Sequence, residues 1–236
     1  MSDKTIYTFK RYEKKYVLTP EQFEGFMAVA GEHLVPSEHF EGEVLSIYYD
    51  SENYSLIRHS LDKPVYKEKL RLRSYGVPDE NGTVFVELKK KYKGIVYKRR
   101  VEMTEKQAED WLSGRAPAPI DTQITREIDW FLKMNRVMPR AFIGTDRTSW
   151  YDRDNAELRI TFDRNIKWRD TELSLTAGDH GEILLKDGKV LMEIKIPDAA
   201  PMWLAELLSD EKIFPTSYSK YGTYYTDELL RRETIC

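Results

Sequence analysis

The chain has 236 residues, of which 41% are hydrophobic, 12% aromatic and 33% charged, a composition that supports a folded core and excludes a disordered chain. Its net charge of −3 argues against nucleic-acid binding through a generally positive surface, and its single cysteine excludes a disulfide framework. The sequence has neither a run of roughly 20 apolar residues nor a secretory signal. We therefore expect a cytoplasmic protein.

The first predicted elements are a short strand over 8–18 and a helix that follows Thr19. Thr19 is placed to be the N-cap, Pro20 occupies the first helical position and Gln22 completes a capping box. This helix is expected to end near His33. A second strand is predicted over 44–50, followed by a polar and aromatic stretch.

The middle of the chain predicts three strands in hairpin order, over 65–74, 83–91 and 95–103, and hence an antiparallel sheet. Two helices are predicted next, one capped by Thr104 and one over 123–135. The pattern then predicts strands again, a short helix and a polar, aromatic tail; the remaining segments are 141–152, 156–163, 171–175, 181–196 and 201–208. Strands interrupted by helices in one continuous pattern favour a single α+β domain over residues 1–236.

Charge is concentrated in the predicted hairpins. Residues 63–100 contain twelve Lys or Arg and four acids, giving this window a net charge of +8 in a chain whose total is −3. A basic centre in an acidic protein suggests a focused anion site. A solvated sheet surface is the alternative interpretation.

Strand alternation groups these charges on one face, because successive side chains point to opposite sides. Lys67, Lys69, Arg71 and Arg73 then lie together on one strand. The same rule groups charged residues on three other predicted strands: Glu87 with Lys89 and Lys91, Glu157 with Arg159 and Asp163, and Glu193 with Lys195. Like charges side by side destabilise a sheet unless an anion lies between them. The pattern therefore predicts a cavity in which cations bind phosphate oxygens and carboxylates bind a divalent cation.

Eight short motifs occur in an order typical of one family. They begin with YEKKY (12–16), KLRLRSYG, VFVELKK and VYKRRV, and continue with DRTSW, LRITFD, LMEIKI and YSKYGTYY. Together they resemble the VTC domain, the polyphosphate polymerase branch of the CYTH or triphosphate tunnel metalloenzyme superfamily. The resemblance extends from about residue 8 to 225.

The resemblance implies an α+β fold built on a roughly eight-stranded antiparallel β-barrel tunnel with helices packed outside. It implies an ATP–polyphosphate phosphotransferase that moves the γ-phosphate of ATP onto a growing polyphosphate chain and uses Mn²⁺ or Mg²⁺. ATP and polyphosphate would be its partners, with no nucleic acid. By analogy, a separate membrane-embedded partner protein would hold it at a membrane.

The resemblance also assigns site residues. Those matching family positions are Lys15, Arg71, Arg73, Lys89, Lys98, Arg147, Ser219 and Lys220 as phosphate-gripping or catalytic residues and Glu193 as metal ligand. Alternation adds Lys69, Arg159 and Lys195 as phosphate ligands and Glu13 and Glu87 as metal ligands. One departure concerns the superfamily signature E-x-E-x-K, whose first position is Arg11 here. Fewer carboxylates then remain for metal, which puts a two-metal mechanism in doubt.

Two other functions fit the same residues. A binding module would hold polyphosphate without turnover, and a triphosphate hydrolase would release orthophosphate. No Walker-type glycine loop, CxxC, HExxH or GxSxG motif occurs in the sequence, which removes the common nucleotide-fold, zinc and serine-hydrolase interpretations.

Overall fold

The computed structural model describes residues 12–93, 95–196 and 199–235. Arg11 lies outside the described residues. The strands are β1 Tyr12–Leu18, β2 Leu34–Asp50, β3 Tyr66–Tyr75, β4 Thr83–Tyr92, β5 Ile95–Thr104, β6 Met138–Asp152, β7 Arg159–Arg169, β8 Glu182–Ile183 and β9 Val190–Ile196. The helices are α1 Pro20–Ala30, α2 Ser55–Leu61, α3 Glu105–Leu112, α4 Gln123–Asn135, α5 Met202–Asp210, α6 Lys220–Thr223 and α7 Leu230–Ile235, with a π-helical turn at Tyr224–Leu229 between the last two.

The strands form a nine-stranded sheet with the order β1-β9-β7-β6-β2-β3-β4-β5, and β8 pairs with β7 beside this path. The pairs β1–β9, β2–β3, β3–β4, β4–β5 and β7–β9 are antiparallel. The α+β class is therefore confirmed. The closed barrel is not: in the described part of the chain the hydrogen-bonded path has two ends, β1 and β5, so the sheet is open.

Capping fixes the helix starts, as the sequence predicts. The Thr19 side chain accepts from the Gln22 backbone N–H at 3.2 Å, and the Gln22 side-chain oxygen accepts from the Thr19 N–H at 3.1 Å. Thr104 and Gln107 repeat the arrangement at α3. Each box satisfies backbone donors that have no partner within the helix.

The chain divides into two compact units, each with its own core. The first unit contains the described residues of Met1–Glu41, Thr148–Asp163 and Asp187–Ser217. The second contains those of Gly42–Arg147, Arg164–Lys186 and Tyr218–Cys236. In the first unit, Phe26, Phe162 and Met192 are fully buried; in the second, Leu45, Leu88 and Ile128 are. No helix in the described ranges is long and apolar enough to cross a membrane.

Several local predictions differ from the structure. The polar stretch after residue 50 contains helix α2, because the Asp50 side chain accepts from the backbone N–H groups of Leu56 and Ile57 and caps it. The C-terminal tail is helical, and residues 171–175 form no strand.

Candidate functional site

The second unit holds six of the fourteen predicted site residues on one face of β2–β5. Strand register places Arg71 opposite Tyr48 and Glu87, and places Lys69 opposite Lys89. We call this surface the cationic face; it consists of Ser46, Tyr48, Lys69, Arg71, Arg73, Glu87, Lys89, Lys98 and Arg100. Residues directly opposite one another in register share a face of the sheet. The alternation predicted from sequence for β3 and β4 therefore holds.

Glu87 is the centre of the cationic face. Its side chain is 1% exposed and lies 2.7 Å from Arg71 Nε, 2.5 Å from Lys98 Nζ, and 4.0 Å from the Nε atoms of Arg73 and Arg100. Burial would raise the pKa of Glu87, but Arg71, Arg73 and Lys98 outweigh it and lower the pKa to about 2. One carboxylate thus compensates four cations, and the cluster retains positive charge.

The two arginines of β3 are nearly buried, with side chains 18% and 10% exposed. Burial, and then the charge of Arg71, lower the pKa of Arg73 to about 10; Arg147 contributes in the same direction. Arg147, at the boundary of the second unit on β6, is therefore close enough for its charge to act on Arg73. Mutual repulsion among cations in a low-dielectric site favours an added anion.

Tyr48 is a member of the site that the residue assignments above omitted. Its hydroxyl lies 3.3 Å from Arg71 Nη1. Burial would raise the pKa of Tyr48, but Arg71, Arg73 and Lys220 together lower it to about 7. Ser46, the next residue on the same face, accepts from Arg73 Nε at 3.3 Å. Alternation within β2 could have revealed both, because Ser46, Tyr48 and Asp50 are two residues apart and therefore share one face of the strand.

The C-terminal pair Ser219-Lys220 also belongs to the second unit. Ser219 caps α6 by accepting from the Gly222 N–H at 3.2 Å, and its hydroxyl accepts from Lys69 Nζ at 3.0 Å. Lys220 is among the charges that lower the pKa of Tyr48, so it lies near the arginines. The structure therefore brings Ser219 and Lys220 to the cationic face, where Ser219 contacts Lys69.

Lys90 shows that the charges of β4 are sorted by face. By alternation along β4 it points away from the cationic face, and its Nζ contacts Glu127 at 2.5 Å and Glu68 at 3.3 Å. Glu68 lies on β3, on the face opposite to Glu87 by strand alternation. Glu127 lies on α4. One face of β4 therefore belongs to a cluster with excess cations, whereas on the other face Lys90 is paired with carboxylates.

The first unit carries the remaining predicted residues on β1, β9 and β7. Register aligns Lys15 with Glu193 and Thr161 in one row, and aligns Glu13 with Lys195 and Arg159 in the next. We call these six residues the mixed-charge face. The Glu193 carboxylate lies 3.8 Å from Lys15 Nζ and 3.4 Å from Lys195 Nζ, and Arg159 donates to Ser149 at 3.3 Å. Glu157, expected to face inward, precedes β7 and is exposed.

The predicted metal ligands are three carboxylates: Glu193, Glu13 and Glu87. Glu193 fits a Mg²⁺ or Mn²⁺ ion that takes its other ligands from phosphate and water, because carboxylate oxygens are ligands that these ions prefer. Glu13 lies in the neighbouring register row. The prediction that Glu87 binds metal does not fit its surroundings, since four cations within 4.0 Å would repel a divalent ion.

A further acidic cluster in the second unit comprises Glu43, Asp146 and Asp179, whose ligand atoms lie within 4.8 Å of one another. One ammonium group lies beside it: Lys167 Nζ is 2.6 Å from Asp179 Oδ2, and Asn165 donates to Asp146 at 2.7 Å. The hydrogen bond to Asp179 raises the pKa of Lys167, and the charges of Asp146 and Glu43 add to that shift. Lys167 therefore supplies one positive charge beside these three carboxylates.

Comparison with known proteins identifies related sequences and folds. The model of the VTC domain family matches residues 10–226. No curated protein matches the chain. Among solved structures, a proposed adenylate cyclase from Bacillus halodurans superposes with a TM-score of 0.57 at 12% identity, covering 93% of this chain and 95% of its own. A proposed adenylyl cyclase from Hippeastrum, described as having a dominant triphosphatase activity, gives 0.57 at 12% identity, covering 91% and 94%. At these identities the two structures show a shared fold.

Proposed function

The chain belongs to the VTC domain family, and we propose that it is a metal-dependent polyphosphate polymerase whose cationic face binds the phosphate groups of ATP and of the growing chain. One observation carries this proposal: Arg71, Arg73, Lys98 and Arg100 share a single buried carboxylate, Glu87, within 4.0 Å. A polyanion would supply the negative charge that this cluster lacks.

The chemistry of the residues suits phosphate. Each guanidinium group presents N–H donors in a planar fork that can bind two phosphate oxygens at once, while each ammonium group acts as a compact charge. Arg71 and Arg73 are held nearly buried before any ligand arrives. Donors already fixed in place stabilise developing charge without reorganisation, which is the largest source of catalysis in many phosphoryl-transfer sites.

The proposed reaction balances without a protein nucleophile. A terminal oxygen of the polyphosphate chain attacks the γ-phosphorus of ATP, the bond from that phosphorus to the β–γ bridging oxygen breaks, and ADP leaves with the electron pair. The acceptor oxygen is already ionised near neutral pH, so no protein base is required. In this scheme Arg71 and Arg73 orient the transferred group and Lys89, Lys98, Arg147 and Lys220 hold the neighbouring phosphates.

The mixed-charge face has a separate proposed role. Glu193 would hold Mn²⁺ or Mg²⁺, with Glu13 as a second carboxylate, while Lys15, Lys195 and Arg159 would contact phosphate. When bound, the ion supplies neutralisation of charge on phosphate oxygens. The lysines next to Glu193 fix the orientation of its carboxylate through their charges.

The test uses the purified chain with ATP and Mn²⁺, with polyphosphate, ADP and orthophosphate measured together. One phosphate residue should be added to polyphosphate for each ADP released. Arg71→Ala should lower synthesis by about a hundredfold or more, the effect of removing one fixed donor to a developing anion. Lys90→Ala is the matched control, because Lys90 lies on the opposite face and pairs with Glu127 and Glu68.

Two other results would redirect the assignment. Tight tripolyphosphate binding without ADP release would identify a binding module. Orthophosphate in place of polymer would identify a hydrolase, the activity described for the Hippeastrum protein of similar fold. Equal synthesis by wild type, Arg71→Ala and Glu193→Gln would contradict polymerisation at these residues. A membrane-embedded partner and a cytoplasmic location remain part of the proposal by analogy with the family.

A further inference from the structure

Tyr221, the residue after Lys220, packs against Tyr48 of the cationic face. Tyr221 is 3% exposed, its ring stacks on that of Tyr48 with centroids 4.8 Å apart and planes 9° apart, and its hydroxyl donates to Asp50 Oδ2 at 3.0 Å. Tyr48 in turn contacts Arg71. The same tyrosine thus touches a site residue through its ring and a buried carboxylate through its hydroxyl.

Asp50 is a rigid anchor for this contact. It is fully buried, and its Oδ1 accepts from the backbone N–H groups of Ser51 at 2.8 Å and Leu56 at 2.9 Å, while Oδ2 accepts from Ile57 at 3.0 Å. Three backbone donors hold the carboxylate at the start of α2, and the Tyr221 hydroxyl is a further donor. Burial, followed by the charge of Asp50 and the hydrogen bond to it, raises the pKa of Tyr221, so its hydroxyl remains a donor.

The segment that Tyr221 attaches carries two proposed phosphate ligands. Ser219 and Lys220 immediately precede it, and α6 is only four residues long before the helix widens into the π-helical turn. So short a helix has little stability of its own, and its position depends on side-chain attachments. Gly222 follows, and a Cβ there would lie 3.5 Å from Leu61 of α2, so α6 and α2 approach closely.

We propose that Asp50 and Tyr221 are positioning residues that hold Lys220 and Ser219 against the cationic face, a role that rests on the proposed function. The Asp50–Tyr221 hydrogen bond fixes the distance between α2 and α6, and the Tyr48–Tyr221 stack fixes the orientation of α6 relative to Arg71. Neither Asp50 nor Tyr221 contacts phosphate in this scheme. Without their attachment, the ammonium of Lys220 spends less time at the site.

The experiment measures tripolyphosphate affinity by calorimetry for wild type, Lys220→Ala, Tyr221→Phe and the double variant. Tyr221→Phe retains the ring and loses only the hydroxyl, and we expect affinity to fall about tenfold, the size of one hydrogen bond. The double variant should bind no more weakly than Lys220→Ala alone, because both changes remove the same contact. Hydrogen exchange of the backbone amides of residues 219–224 should be faster in Tyr221→Phe.

Tyr224→Phe is the matched control. Tyr224 is also fully buried on the same segment, and its hydroxyl lies 3.5 Å from Asp170 Oδ2. This variant should leave tripolyphosphate affinity within about twofold of wild type, since the Tyr224 hydroxyl contacts Asp170 and Tyr54 and not Asp50.

The outcomes separate this inference from the proposed function. Weaker binding by Lys220→Ala together with unchanged binding by Tyr221→Phe would overturn the positioning role alone. Additive losses in the double variant would also overturn it, because Tyr221 would then act independently of Lys220. A wild-type chain that does not bind tripolyphosphate would overturn the proposed function and this inference with it.

Discussion

The two units carry charged sheet faces of different character. On the cationic face of the second unit, four cations lie within 4.0 Å of one carboxylate that is 1% exposed. On the mixed-charge face of the first unit, Glu193 is flanked by two lysines, and all three side chains are between 13% and 33% exposed. One face thus has an excess of positive charge around a buried carboxylate, whereas the other alternates signs.

This difference indicates two kinds of chemistry. Cations that share too few anions lower their free energy when a polyanion binds, because the low dielectric around the nearly buried Arg71 and Arg73 strengthens every added attraction. A face with alternating signs has little net attraction for a polyanion, but a carboxylate on it can exchange a lysine for a divalent ion. In the proposed function, phosphate binding therefore belongs mainly to the second unit and metal binding to the first.

The largest expected effect concerns Glu87. In Glu87→Gln the buried guanidinium groups of Arg71 and Arg73 lose their counter-charge, and we expect the free energy of unfolding to fall by about 3–5 kcal/mol, as when one partner of a buried ion pair is removed. Glu193→Gln should cost less than about 1 kcal/mol, because Lys15 and Lys195 can relax into solvent. Urea unfolding at neutral pH measures both.

The pH dependence of this difference follows from the lowered pKa of Glu87. Because the pKa is about 2 in the folded chain and ordinarily 4.5, the carboxylate stabilises the fold above pH 4.5 and this contribution is lost as pH falls toward 2. The gap between wild type and Glu87→Gln should therefore close over that window. Tripolyphosphate should stabilise Glu87→Gln more than wild type; equal losses for the two glutamine variants would contradict the contrast between the faces.

The next largest effect separates metal from phosphate. Glu193→Gln removes the proposed metal ligand, and Mn²⁺-dependent polyphosphate synthesis should fall by about a hundredfold. The reason is that a bound ion lowers the free energy of the charged transition state by several kcal/mol. Metal-free tripolyphosphate affinity should change by less than about threefold, since the cationic face is untouched.

Glu157→Gln is the control for Glu193→Gln. It changes an exposed carboxylate of the same unit in the same way, and it should leave synthesis unchanged. A large loss of metal-free affinity in Glu193→Gln would instead assign phosphate binding to the first unit.

Much of this contrast was predictable from the sequence. Alternation placed Lys69, Arg71 and Arg73 on one face of β3 because a strand has a side-chain period of two, and neighbouring hairpins could only pair as antiparallel strands. Capping boxes likewise located α1 and α3. Such local rules depend on residues a few positions apart.

The remainder depended on contacts between distant residues. Glu87 was predicted as a metal ligand because alternation gives its face but not the four cations around it. Tyr48 and Tyr221 are 173 positions apart and meet only in the folded chain. The open sheet was also missed, since strand periodicity does not reveal whether the end strands pair.

The smallest expected effect is a pH response at Tyr48. Its pKa of about 7 means that the phenolate forms as pH rises above neutrality and cancels part of the positive charge of Arg71, Arg73 and Lys220. A bound polyanion would favour the neutral phenol, so binding near pH 8 should take up a proton and affinity should fall several-fold between pH 7 and about 9. Calorimetry in two buffers of different ionisation enthalpy measures this uptake. In Tyr48→Phe the uptake and the fall in affinity should both disappear, while titration of tripolyphosphate itself is common to both proteins and cancels in the comparison. An identical pH profile for the two would show that the charge on the cationic face does not depend on Tyr48.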